Sequence, residues 1–340
     1  MNGAPPLVDG HLDLAFNVLN GRDLTLPASA TREREGERPN RCMVSLPDLR
    51  RGGVALAFAT LFAEPASSSL SEGGYRTPEE AEAAALAQLA VYDGWAERGL
   101  VRLVRDRASL ARHLDAWRDD GTPGLLVLME GADPVRSPAD LEAWWARGVR
   151  AIGPAWHRTR YCGGTGEPGP LTPEGRELVR RMREIGFILD LSHMADESVR
   201  DSLEVGAHAL MASHSNARAL VPTDRQLPDE TIQAIGQHDG VVGLVLFNRF
   251  LEARWSREDR SVPVSVRDQV RAHAEHVARL IGWERVAVGS DMDGGLGVDE
   301  TPLELDTAAD LARVGDAAPL EAREGFLGGN WLRFLERALP

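Results

Sequence analysis

Apolar residues in this chain fall into short, nearly unbroken runs, separated by longer polar stretches with helical spacing. After an opening segment, Val8 to Leu14, that carries Asp9, His11 and Asp13, the runs are Gly53 to Phe62, Gly124 to Met129, Val149 to Trp156, Phe187 to Leu191, Ala209 to Ser213, Gly240 to Phe247 and Val286 to Ser290. Runs of this length with no alternation of polar residues predict strands buried on both faces, the condition of a parallel sheet covered by helices. The intervening segments supply the helices. Thr77-Pro78-Glu79-Glu80 opens one that runs to Gly99, with Thr77 as N-cap, Pro78 at the first helical position and acids in the first turn. Further helices are predicted over Ala108 to Trp117, Pro138 to Arg147, Thr172 to Ile185, Ala195 to Val205, Pro228 to Gln237 and Val264 to Ile281, and from Asp306 to the C-terminus. Eight strands alternating with helices predict an α/β fold of the closed (β/α)8 TIM-barrel type. A ninth run, Leu100 to Val104, is read as peripheral. A doubly wound open sheet is the alternative, but no G-x-G-x-x-G follows a strand and opens a helix, so dinucleotide binding has little support.

No low-complexity linker divides the chain, which predicts one domain over residues 1–340. The Arg-, Glu- and Pro-rich stretch of about 20–41 reads as an exposed excursion with no core of its own, placed where a lid would be. With 43% hydrophobic and 26% charged residues the composition is globular. No run approaches the roughly 18 apolar residues of a membrane span, and the segment ahead of His11 is shorter than the roughly 15 residues of a signal peptide, so a cytoplasmic protein is expected. The net charge of −14 disfavours nucleic acid and anionic lipid as partners. Cys42 and Cys162 are the only cysteines, which excludes a disulfide framework and a cysteine-rich zinc module. They are expected to be free thiols, and any metal must be held by His, Asp and Glu.

The barrel changes how these residues read, because the C-terminal ends of its strands share one mouth. His11, Asp13, Glu130, His157, His193, His214 and Asp291 all stand at predicted strand ends. Residues i and i+2 of a strand face the same side, so His11 and Asp13 can close on one ion. Apart from His157, these are three imidazoles and three carboxylates with no thiol, a set that suits a borderline ion such as zinc. Six donors exceed what one tetrahedral ion needs, and a carboxylate between two cations can bridge them, as in two-metal hydrolases. Each residue also has an ordinary reading as a turn or helix-cap residue, and Asp293 is read that way. His113, His208, His238, His273 and His276 are read as solvated positions on helices, and Trp144, Trp145, Trp331 and Phe334 as packing residues.

The ordered set Asp9-Gly-His-Leu-Asp13, Glu130-Gly131, Asp190-Leu-Ser-His193, Ser213-His-Ser215 and Gly289-Ser-Asp-Met-Asp-Gly294 resembles the membrane (renal) dipeptidase family of zinc peptidases, within the amidohydrolase barrels. Gly52-Gly-Val54 and Gly328-Gly-Asn-Trp-Leu-Arg333 extend the likeness over nearly the whole chain. The resemblance implies two zinc ions per chain, with His11 and Asp13 on one, His193 and His214 on the other, and Glu130 bridging. It implies hydrolysis of dipeptides, L,D as well as L,L, by a hydroxide held between the ions. Asp291 would move its proton, His157 would donate to the oxyanion, and Arg225 would bind the substrate carboxylate. A membrane anchor is not expected, and a homodimer is left open. Leu12 stands where the family often has Asn, and Met292 where it has Phe or Tyr. Arg158 to Gly164 keeps little of the family's wording, so side-chain preference is open. Rival readings are a related amidohydrolase acting on a lactone, ester or N-acyl amino acid, and an inactive barrel used for binding.

Overall fold

The protein is described by a computed structural model over residues 5–36, 40–67 and 73–340. Eight parallel strands lie side by side in chain order: β1 (Leu7–Leu12), β2 (Val54–Phe62), β3 (Gly124–Glu130), β4 (Val149–Gly153), β5 (Ile188–Asp190), β6 (Leu210–Ala212), β7 (Val241–Leu244) and β8 (Val286–Val288). The expected barrel is present and nearly closed. At the seam between β8 and β1 a side chain takes over from the ladder. The Asp9 carboxylate accepts from the Ser290 amide at 2.7 Å and its hydroxyl at 2.5 Å, and Asp291 N–H donates to the His11 carbonyl at 3.2 Å.

Alternation along the strands builds two apolar layers. Val8, Phe58, Leu126, Leu128, Ile188 and Met211 belong to an inner cluster, which Trp331, Phe334 and Leu335 of the helix Asn330–Ala338 complete. Leu12, Val54, Leu125, Val127, Leu189 and Val242 pack outward in the cluster that includes the surrounding helices. Burial on both faces is why the strands read as unbroken apolar runs. Trp331 is fully buried, its Nε1 donates to the Val288 carbonyl at 2.8 Å, and its ring lies 4.9 Å from that of Phe58. The aromatic residues expected to pack do so.

Several expectations are corrected. Stretch 20–41 is not an excursion without a core: it contains the helix Ala28–Glu35 and buries Arg22, Leu24, Ala28 and Thr31. Residues 37–39 lie outside the described residues. The run 100–104 forms only a two-residue strand, Arg102–Leu103, beside β3, and is peripheral as expected. β4 stops at Gly153 instead of reaching His157, since Pro154 has no amide to continue a ladder. An unanticipated hairpin, Cys162–Gly164 with Glu167–Leu171, follows it. The C-terminal region is not one helix; a 3-10 run Ala308–Ala317 and a π turn Gly325–Gly329 precede the last α-helix. Cys42 and Cys162 are buried free thiols. Among the described residues no helix is long and apolar enough to cross a membrane.

Candidate metal centre and substrate pocket

A bulge in β1 sets the first two donors. Asp9 pairs with Ala57 and Leu12 with Ala59, so three steps on β1 answer two on β2. The extra residue turns His11 and Asp13 to the barrel interior and leaves Leu12 in the outer layer, away from the site. Glu130 is the last residue of β3. His193 and Asp291 follow β5 and β8 in left-handed backbone, with φ of 65° and 59°. Non-glycine residues pay roughly 1–3 kcal/mol for such a conformation, which persists where surrounding contacts fix the side chain.

These residues meet at Glu130. Its Oε2 is 3.4 Å from His11 Nε2, while its Oε1 is 3.2 Å from His193 Nε2 and 3.4 Å from His214 Nε2. Asp13 Oδ1 is 4.0 Å from His11 Nε2, and the Asp13 carboxylate also accepts from the Thr60 hydroxyl. Three overlapping groups, His11 with Asp13 and Glu130, Glu130 with His193 and His214, and His11 with His214 and Asp291, each bring their donor atoms within 4.8 Å of one another.

The electrostatics of the cluster favour a cation. Burial raises the carboxyls of Asp13, to about 6, and of Asp291, well above its ordinary value, and the neighbouring Glu130 adds to both. Burial also opposes charge on His11, yet Glu130, Asp13 and Asp291 together carry it up to about 10. Burial is likewise the largest influence on Glu130, but the adjoining imidazoles outweigh it and hold that carboxyl well below its usual range. Burial and then Arg225 press His193 down to about 4; burial and then His11 press His214 well below its usual value. Two neutral imidazoles whose Nε2 atoms lie 3.1 Å apart need a proton or a cation nearby, since two lone pairs at that distance repel. His11 Nε2 is buried with no hydrogen-bond partner. Nitrogen and carboxylate donors in this arrangement fit a borderline divalent ion.

Above the cluster lies a cavity of about 550 Å³, lined by Asp13, Glu130, His193, His214 and Asp291 together with aromatic and cationic side chains. Phe16, Phe62 and Trp156 are linked edge to face, with ring centroids 5.2 and 5.0 Å apart, and form one aromatic part of its lining; Phe247 and Phe250, at 4.9 Å, form another. Arg225 is only 4% exposed. Its Nη1 donates to Ser215 Oγ at 3.0 Å and its Nη2 to the His214 carbonyl at 2.6 Å, while Nε is buried without a partner. His157 also lines the cavity, from the loop beyond β4, and its Nδ1 donates to the Thr165 carbonyl at 2.7 Å. A donor role at Nε2 therefore needs a doubly protonated ring, a condition that reading the residues in sequence did not reveal.

Sequence reasoning missed the residues that support the donors. Asp190 and Ser213 sit behind the histidines, and Thr60 holds Asp13. Their signal was a polar residue inside an apolar run, as in Phe187-Ile-Leu-Asp-Leu191. Asp293 is not a simple turn residue: it is buried, accepts from the amides of Met43 and Val44, both at 2.9 Å, and lies 3.3 Å from Arg22. Arg249 and Arg257 also line the cavity, and Arg257 is engaged by Glu300 at 2.6 Å.

Comparison with known proteins agrees with this geometry. A family profile described as "Membrane dipeptidase (Peptidase family M19)" matches residues 2–338. An uncharacterised protein from the pqqA 5′ region of Klebsiella pneumoniae is 32% identical over 253 residues, covering 70% of this chain and 89% of its own. The crystal structure of dipeptidase AC, a metallopeptidase, superposes with a TM-score of 0.80 at 26% identity, covering 99% of each chain. A metallopeptidase from Rhodobacter sphaeroides, crystallised with a phosphinate mimic of L-Ala-D-Ala, superposes with a TM-score of 0.79 at 25% identity, covering 99% of this chain and 100% of its own. The chain belongs to the membrane dipeptidase family, peptidase family M19, and is a metal-dependent dipeptidase built on an α/β barrel of parallel strands.

Proposed function

We propose that the site holds two zinc ions, one on His11 and Asp13, the other on His193 and His214, with Glu130 shared between them. The observation that carries this reading is the division of labour at Glu130, whose two oxygens face different donors: Oε2 toward His11, Oε1 toward His193 and His214. When bound, such a pair makes a water nucleophilic at neutral pH and polarises the scissile carbonyl.

The chain's own residues do the rest. Arg225, which lines the cavity, takes the substrate's C-terminal carboxylate, where a planar fork can meet two oxygens. That anchor places the C-terminal peptide bond at the ions, because it fixes the distance from the scissile bond to the chain end. Asp291, buried and raised, is suited to receive a proton from the attacking water and deliver it to the leaving amine. His157, held through Nδ1 by Thr165, faces the carbonyl oxygen with Nε2 and donates there when the ring carries both protons. The aromatic residues around the cavity exclude water. The phosphinate mimic bound by the Rhodobacter sphaeroides relative supports acceptance of a D-residue at the second position. Hydrolysis of a panel of L,L and L,D dipeptides by zinc-loaded protein tests the reading: turnover of free dipeptides is expected, and turnover confined to lactones, esters or N-acyl amino acids overturns it.

A further inference from the structure

Behind the donor cluster, one hydroxyl touches two of the three imidazoles. Ser213 Oγ is 3.1 Å from His11 Nδ1 and 2.8 Å from His214 Nδ1. It is also 2.5 Å from Asp190 Oδ2. Asp190 Oδ1 accepts from the amides of Ser213 at 2.8 Å and Ser192 at 3.0 Å, so this carboxylate is fixed by the backbone. Ser192 Oγ lies farther from Ser213 Oγ, at 3.3 Å, and accepts the His214 amide at 3.1 Å.

Counting protons gives the direction of each bond. A hydroxyl has one proton and two lone pairs, and a carboxylate only accepts. Ser213 therefore donates to Asp190 and accepts from N–H at both imidazole Nδ1 atoms. Each ring then keeps its Nε2 lone pair for the cavity, where those atoms stand 3.4 Å from Glu130. On this basis we infer that Ser213, oriented by Asp190, is a positioning residue that sets His11 and His214 together, and so couples the two metal positions through a single hydroxyl.

The barrel is shaped to admit this residue. Ser213 is fully buried, and its carbonyl enters where three strands or strand ends carry glycine. A Cβ at Gly10, Gly243 or Gly289 would lie 2.7, 2.2 or 1.7 Å from Ser213 O, closer than any real contact, so a side chain at any of the three would displace it. His193 is supported separately, its Nδ1 lying 3.1 Å from Thr165 Oγ1.

This inference rests on the two-ion reading, and chelator competition on the whole protein separates the two, with metal content and no activity as the readout. Wild type should hold two zinc ions; holding fewer overturns the two-ion reading itself and the coupling with it. In Ser213→Ala both ions should bind roughly 10–100-fold more weakly, the usual effect of losing the group behind a ligating histidine. In Thr165→Val only one should. Ser213→Thr, which keeps the hydroxyl, should restore both. Two ions in wild type with Ser213→Ala weakening neither or only one overturns the coupling alone. Should Ser213→Ala fail to fold, Asp190→Asn decides. Its Oδ1 must still accept the two amides, so its Nδ2 donates to Ser213, whose proton then turns to one imidazole and forces that ring's own proton onto Nε2. One ion should weaken by a similar factor, and wild-type affinity for both would overturn the inference.

Discussion

Replacing Arg225 with Met keeps most of the buried stem and removes the fork. Arg225 is 4% exposed, so a bond its guanidinium makes to a substrate carboxylate forms largely out of water. A hydrogen bond involving a charged group contributes about 1.5–3 kcal/mol, and a bidentate contact supplies two. The loss is then about 3–6 kcal/mol, or roughly 10²–10⁴-fold in kcat/KM. Part of any fall will be indirect, because Nη1 and Nη2 also support Ser215 and the His214 carbonyl. A cycle removes that part: kcat/KM is measured for wild type and Arg225→Met on a dipeptide and on its C-terminal amide. Wild type should prefer the free carboxylate by about the factor above, and the variant should show little preference. An equal fall on both substrates would refute the clamp.

Asp291→Asn preserves shape and removes the proton carrier; kcat should drop by roughly 10²–10⁴-fold with metal content unchanged, and wild-type turnover would end the proton-shuttle role. Outside the site, burial lowers His273 to about 4, its Nδ1 accepting the Ala217 amide and Nε2 donating to the Leu251 carbonyl. Its folded value lies below the unfolded 6.5, so below pH 6.5 the unfolded chain takes up a proton that the folded chain refuses. Its contribution is complete above pH 6.5 and is lost as pH falls toward 4, by roughly 3 kcal/mol. Urea melts at pH 7 and pH 5 should show stability falling with acid more steeply in wild type than in His273→Gln; identical slopes would contradict this.

The proposed metal donors were legible because they stand at the ends of buried strands, and parallel strands in one barrel deliver their ends to one place. Glu130 after Gly124 to Met129 is the clearest case. The supporting residues were not, because their roles depend on pairings across the barrel: Asp9 with Ser290, Asp190 with Ser213, Asp293 with the Met43 and Val44 amides. The same long-range contacts hide the order of the polar stretch 20–41, whose Arg22 is buried against Glu35 and Asp293. Strands β5, β6 and β8 are each three residues, shorter than their apolar runs, because side-chain acceptors take over where the ladder ends. Two histidines were misread as solvated. His113 shares a helix face with Leu110 and Trp117, and His273 with Val270 and Val277, spacings of three and four that mark a buried stripe. His113 contacts the Ala55 carbonyl at 2.7 Å. His276 is half-buried against Asp229 at 2.7 Å, while His208 and His238 are exposed as expected.

The most direct test is the rate of dipeptide hydrolysis by metal-free protein as zinc is added in measured equivalents. The rate should rise from near zero and level off at about two equivalents per chain. Full turnover at one equivalent would contradict a shared Glu130, and no turnover at any loading would contradict the assignment of the cavity to dipeptides.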